Sequence, residues 1–128
     1  MKFLLDTQVL IWADAAPQRL SPKARAALQD ADNQLLVSFA SLWEMQIKQS
    51  LGKLHLARSV KAFFLAQVDA LGVSALPVRL DHFWQLSGLP QVHGDPFDRL
   101  LIAQAQFEEV PVISADPAFA GYAVEVHW

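Results

Sequence analysis

Short apolar runs alternating with stretches of helical spacing constrain this chain more than any other feature. Lys2–Leu5 (KFLL) and Gln34–Phe39 (QLLVSF) have the length and composition of buried strands, and Val73–Leu76, Val110–Ser114 and Ala123–Val126 read the same way. Between them apolar residues recur every three or four positions: Val9, Trp12 and Ala13, then Ala24, Ala27 and Leu28, then Val60, Phe63, Phe64, Val68 and Leu71. Strands separated by helical stretches predict an α/β fold, a parallel sheet of about five strands with helices on both faces. Local signals punctuate it. Ser21-Pro22 starts a helix that continues over Lys23–Asp30, and Ser41 opens one that runs to about Ser50 with Gly52 as its stop. Gly72 closes the helix begun at Ser59, Asp81 starts a short helix to Leu86, and Asp95-Pro96 starts a longer one to about Glu108.

The chain has 128 residues, 53% of them hydrophobic and 18% charged, enough apolar material for one core and none to spare for a disordered tail. No repeat, linker or charge run divides it, so residues 1–128 are expected to form one domain. The absence of cysteine excludes disulfides, thiolate zinc sites and cysteine nucleophiles, and it fits a cytoplasmic protein. Any metal must sit on oxygen or imidazole. No apolar run approaches the ~20 residues that span a bilayer, and Asp6 interrupts the apolar start, so neither a membrane anchor nor a signal peptide is expected.

In open α/β sheets ligands bind beyond the carboxyl ends of the strands, where the strand order reverses. The acids embedded in apolar sequence all fall there: Asp6 (FLLDT), Glu44 (SLWEM), Asp98 (DPFDRLLIA) and Asp116 (VISAD), with Asp95 one turn before Asp98. The other acids lie on polar helix faces, at caps or in a terminal strand. Three of the embedded group have ordinary structural accounts. Ser41-x-x-Glu44 matches a capping box, Asp95 before Pro96 is a good N-cap, and Asp98 would favour the helix dipole. Asp6 and Asp116, by contrast, close apolar strands where no cap is obviously required.

Carboxylates converging in one cleft repel by about 3 kcal/mol per pair at ~5 Å and an effective dielectric of ~20. Protonation, a basic side chain or a hard divalent cation must offset that charge. An all-oxygen donor set favours Mg2+ or Mn2+, the standard device for phosphoryl chemistry. The formal net charge of −3 argues against a nucleic-acid substrate only until these four acids are set aside, because nine acids then face ten basic residues. Lys48, Lys53, Arg58 and Arg99 are the cations available to meet phosphate locally.

The segments FLLDTQVLIW, SFASLWE, HGDPFDRLLIAQA and VISADPAF resemble, in order and over nearly the whole chain, a PIN-domain ribonuclease. More narrowly they resemble the VapC-like toxins of type II toxin–antitoxin pairs, in the branch with an H-x-D-P-F-D-R block. The resemblance implies a three-layer α/β/α domain around a central parallel sheet, and a Mg2+- or Mn2+-dependent endoribonuclease. It implies metal-holding and catalytic roles for Asp6, Glu44, Asp98 and Asp116, with Asp95 an additional candidate from the same block. Ser114 matches the small hydroxyl two residues before the last acid, placed to orient Asp116 or a water, and Arg99 could contact substrate phosphate or pair with a carboxylate. The resemblance also implies a homodimer, an RNA substrate and a small antitoxin encoded nearby. Such a partner would lay a helix across an apolar groove, for which Trp43, Ile47, Phe63 and Phe64 are candidates, and place a basic side chain among the acids.

His93 lies two residues before Asp95 and is expected to hydrogen-bond backbone, since a divalent ion makes water nucleophilic without it. His55, His82 and His127 receive no role. Trp12, Trp43 and Trp84 occupy apolar helical positions and are expected in the core. A receiver domain would need an acidic pair ending the first strand and a late Lys, but Leu5 precedes Asp6 and no Lys follows Lys61. A dehalogenase-type phosphatase would need D-x-D, but position 8 is Gln. A non-catalytic interaction module with this fold, or a housekeeping RNA-processing nuclease, remains the alternative.

Overall fold

The computed structural model describes residues 1–128. In chain order the elements are β1 (Lys2–Leu5), α1 (Thr7–Ala15), α2 (Pro22–Gln29), β2 (Gln34–Ser38), α3 (Phe39–Ser50) and α4 (Val60–Leu71). There follow β3 (Ser74–Leu76), α5 (Leu80–Ser87), α6 (Pro96–Glu108), β4 (Val112–Ile113) and β5 (Val126–His127). Short 3-10 turns lie at Pro17–Arg19 and Pro117–Gly121. The sheet is ordered β3-β2-β1-β4-β5 and every pairing is parallel.

Alternation along the strands makes the three layers. Phe3 and Leu5 of β1, Leu35 and Val37 of β2 and Ile113 of β4 point to one face, where they pack with Val9, Leu10, Ala24, Ala27, Leu28, Met45, Val60 and Phe63 of α1 to α4. Leu4, Leu36 and Val112 point to the other face and meet Leu101, Ile102, Ala103 and Ala105 of α6, with Leu86 of α5 against them. Register matches face to face: Phe3 lies beside Leu35, Leu4 beside Leu36 and Val112, and Leu5 beside Ile113. Side chains of this size each contribute roughly 1.5–3 kcal/mol when removed from water. The three-layer α/β/α arrangement expected from the sequence is therefore present.

The chain moves from β1 outward through β2 and β3, then crosses back to place β4 on the other side of β1. The order reverses between β1 and β4, and their carboxyl ends carry Asp6 and Asp116.

Several boundaries differ from the sequence expectation. α3 begins at Phe39, capped by Ser38, whose Oγ accepts from Ala40 N at 3.0 Å, so Ser41 lies inside the first turn and no Ser41–Glu44 capping box forms. β4 and β5 are shorter than expected, and β5 lies later, at Val126–His127. Trp43 and Trp84 are not core residues: they are 59% and 65% exposed. Phe63 is fully buried and Phe64 packs on the core, so the groove expected between α3 and α4 loses both aromatics. His82 is fully buried; its Nδ1 accepts from Arg79 N at 2.9 Å and its Nε2 lies 3.0 Å from Glu108 Oε1, which fastens α5 to α6.

Candidate active site

Asp6, Glu44, Asp95, Asp98 and Asp116 line one cleft of about 470 Å³ at the carboxyl ends of β1 and β4. Four elements deliver them. β1 ends one residue before Asp6, which takes the N-cap position of α1 in extended backbone (φ −62°, ψ 143°). Glu44 comes from the second turn of α3, on the face that also buries Ala40, Ser41 and Met45. Asp95 and Asp98 sit at the start of α6, and Asp116 follows β4.

Two of the acids also cap helices. Asp95 Oδ1 accepts from Phe97 N at 2.9 Å and Asp98 N at 3.1 Å, as an N-cap before Pro96 should. Asp116 Oδ1 accepts from Ala118 N at 2.9 Å and caps the 3-10 turn, a requirement the sequence did not reveal. Each then has a second oxygen that the cap does not occupy. Asp6 and Glu44 are buried and neither serves a capping box.

Burial among like charges governs the electrostatics. Burial pushes the Asp6 carboxyl up from its ordinary value; the Ser114 hydroxyl pulls it back, and Asp116 and Glu44 push it up again. Asp98 is pushed up to about 6, first by burial and then by Asp95, Asp6 and Glu44, against the hydrogen bond from His93. Lys48 is raised because its ammonium bonds Glu44 Oε2 at 2.8 Å, with Asp95 and Asp98 adding attraction.

That ion pair leaves a remainder. Glu44 Oε1 is buried and has no hydrogen-bond partner. Leaving a buried acceptor without a donor costs roughly 1–3 kcal/mol, and more for a charged group. The donor set is all carboxylate apart from His93, whose nitrogen groups with Asp95 and Asp98 oxygens within 4.8 Å. Hard oxygen donors in excess of local positive charge, one of them orphaned, fit a divalent cation such as Mg2+ or Mn2+.

The remaining predicted site residues fall elsewhere. Ser114 is buried beside the acids: its Oγ donates to Asp6 Oδ2 at 2.8 Å and accepts from Asp116 N at 3.0 Å. Arg99 does not line the cleft. Its Nη1 donates to Pro90 O at 2.8 Å and Tyr122 Oη at 3.1 Å. Arg58 is paired with Asp14 at 2.7 Å, whereas Lys48 and Lys53 do line the cleft.

Three contacts escaped sequence reasoning. The Glu44–Lys48 pair has i, i+4 spacing and was accessible to it. The buried bond from Thr7 Oγ1 to Ser41 Oγ, 2.8 Å, joins α1 to α3 at the cleft wall and has no local signal. His93 Nε2 lies 3.0 Å from Asp98 Oδ2; an ionised carboxylate only accepts, so that nitrogen carries the proton.

Comparisons with known proteins agree with this architecture. One family, described as the PIN domain, matches residues 3–125. The structure is similar to VapBC2 from Rickettsia felis bound to a DNA fragment from its promoter, with TM-score 0.75 and 13% identity over 98% of this chain and 97% of that one. It is also similar to a toxin–antitoxin complex from Klebsiella pneumoniae, with TM-score 0.64 and 19% identity over 93% and 91% of the two chains. A third similar structure is VapBC-1 from nontypeable Haemophilus influenzae, with TM-score 0.61 and 16% identity over 98% and 96%. No curated protein matches the chain.

Proposed function

This chain belongs to the PIN domain family, and we propose that it is a divalent-metal-dependent endoribonuclease that acts in the cytoplasm as the toxin of a type II toxin–antitoxin pair. The observation that carries this reading is the convergence of five carboxylates from four elements on one cleft at the reversal of strand order. Helix capping accounts for one oxygen of Asp95 and one of Asp116, and for none of Asp6 or Glu44.

Asp6, Asp98, Asp116 and Glu44 would hold Mg2+ or Mn2+, with Asp95 beside them. A bound ion of this kind supplies a nucleophile at neutral pH and offsets charge on the phosphate oxygens. The chain's own residues set the geometry. Ser114 Oγ fixes Asp6 by donating to it and fixes the start of the Asp116 turn by accepting from the Asp116 backbone N–H. Glu44 serves as a ligand or water-orienting base, and its Oε1 is the oxygen that no donor of the protein occupies. Lys48 and Lys53 give the cleft the positive groups that meet the RNA backbone. Hydrolysis of this type leaves 5′-phosphate and 3′-hydroxyl ends.

The three similar structures, two of them VapBC assemblies, support an antitoxin partner for this chain as well. A cleft with this excess of carboxylate attracts a guanidinium. For self-association, the exposed apolar side chains Trp43 of α3 and Leu80, Phe83 and Trp84 of α5 are the candidate surface. Purified protein should cleave RNA with Mg2+ or Mn2+ and stop on EDTA. Expression alone should arrest growth, and co-expression of the small neighbouring reading frame should relieve it. Harmless expression of a protein that cleaves RNA efficiently in vitro would instead indicate a housekeeping nuclease.

A further inference from the structure

The segment from Pro90 to Gly94 has no helix or strand to fix it, yet it carries His93, which holds Asp98. Its backbone is instead held by two side chains from elsewhere. His93 N donates to Tyr122 Oη at 2.8 Å, and Pro90 O accepts from Arg99 Nη1 at 2.8 Å. The two holders are joined, because Arg99 Nη1 also donates to Tyr122 Oη at 3.1 Å. Tyr122 is buried and belongs to the apolar cluster on the α6 face of the sheet, which holds its ring in place and limits where its hydroxyl can reach. A third contact is steric. A Cβ at Gly121 would come within 2.7 Å of Val92 Cγ1, so a residue without a side chain lets the segment seat against the turn beneath it.

We propose that Tyr122 and Arg99 form a latch on the Pro90–His93 segment that keeps the His93 imidazole on Asp98, and that both are positioning residues for the acidic cleft. Asp98 Oδ2 is engaged by His93 at 3.0 Å, which fixes the plane of the carboxylate and directs its other oxygen. Without the latch, that orientation rests on a segment with no regular structure. Partners that orient a metal-ligating group by hydrogen bonding typically change affinity or activity by about 10- to 100-fold when removed. This role rests on the nuclease reading, and it places Arg99 behind the cleft, where it does not reach the RNA.

Tyr122→Phe removes the hydroxyl and keeps the buried ring. Three measurements read its effect: the His93 Nε2–H proton resonance in the metal-free protein, Mn2+ affinity by electron paramagnetic resonance without RNA, and kcat and KM on RNA. The variant is expected to lose the His93 resonance, bind Mn2+ about 10-fold or more weakly, and lose kcat with KM unchanged, while circular dichroism shows an intact fold. Gly121→Ala, which pushes on Val92, should act in the same direction. Retention of both the His93 resonance and wild-type Mn2+ affinity in Tyr122→Phe overturns the latch, and loss of the resonance with unchanged Mn2+ affinity overturns its positioning role. The resonance needs neither metal nor RNA, so a wild-type protein that neither binds Mn2+ nor cuts RNA overturns the nuclease reading on separate evidence.

Discussion

Ser114 Oγ donates a hydrogen bond of 2.8 Å to Asp6 Oδ2, joining the ends of β1 and β4 across 108 residues of chain. The same oxygen accepts from Asp116 N, so one buried hydroxyl orients the two acids at the reversal of strand order. A metal-ligating carboxylate needs such a partner if burial is not to leave it protonated or misdirected.

Ser114→Ala should therefore act on the site through Asp6. The Ser114 bond lowers the Asp6 carboxyl against burial, so its removal raises that carboxyl further. The acidic limb of the pH–rate profile should move to higher pH, activity at pH 7 should fall about 10-fold, and stability should fall by about 1–2 kcal/mol. An unmoved acidic limb in a folded variant would show that Ser114 does not tune the site.

Asp98→Asn should stabilise the metal-free protein at neutral pH. The folded carboxyl titrates at about 6, above its ordinary value, so the folded state binds the proton more readily than the unfolded chain does. The stability this contributes is present below pH ~4 and is lost as pH rises through about 6, leaving the ionised group a cost at pH 7. The variant should gain about 1–2 kcal/mol at pH 7, roughly 3–8 °C in Tm, and no gain at pH 4. Mn2+ should raise Tm of the wild type more than that of the variant. A variant less stable than wild type at pH 7 without metal would contradict this.

Lys48→Met, which keeps the apolar stem and removes the donor, should expose the cost of Glu44. The pair is 2.8 Å long and half in solvent on the lysine side, and its removal leaves both Glu44 oxygens without a donor. The loss in chelated buffer should be about 1 kcal/mol by chemical denaturation, since solvent screens part of it. Saturating Mn2+ should narrow the difference. Equal stability with and without Lys48 in EDTA would show that Glu44 is compensated elsewhere.

The architecture was legible in the sequence wherever the signal was local and periodic. KFLL and QLLVS became central strands, Ser21, Ser59 and Asp95 cap the helices they precede, and Gly72 takes left-handed backbone at φ 67° to end α4. The acids were legible because a carboxylate inside an apolar segment must either cap something or hold something. What failed did so for tertiary reasons. Ser38 and Ser41 are both competent caps, and β2 decides between them by ending at Ser38, which starts α3 three residues early. Trp43 and Trp84 have core-like periodicity, but their helix faces turn outward, and the Trp43 ring meets Phe97 edge to face at 5.3 Å. His93 and Tyr122 lie 29 residues apart and meet through a segment without periodicity, so no pattern announced their contact.

The most direct test compares wild type with Asp6→Asn, each purified free of host nuclease, on a 5′-labelled RNA with Mn2+. Asp6 lines the cleft, is buried and is held by Ser114, and its amide replacement keeps shape while removing charge. The wild type should cut to products with 5′-phosphate and 3′-hydroxyl ends, EDTA should abolish cutting, and Asp6→Asn should lose at least about 100-fold of the rate with its fold intact. Full activity in Asp6→Asn, or cutting that survives EDTA, would contradict the assignment of this cleft as a divalent-metal nuclease site.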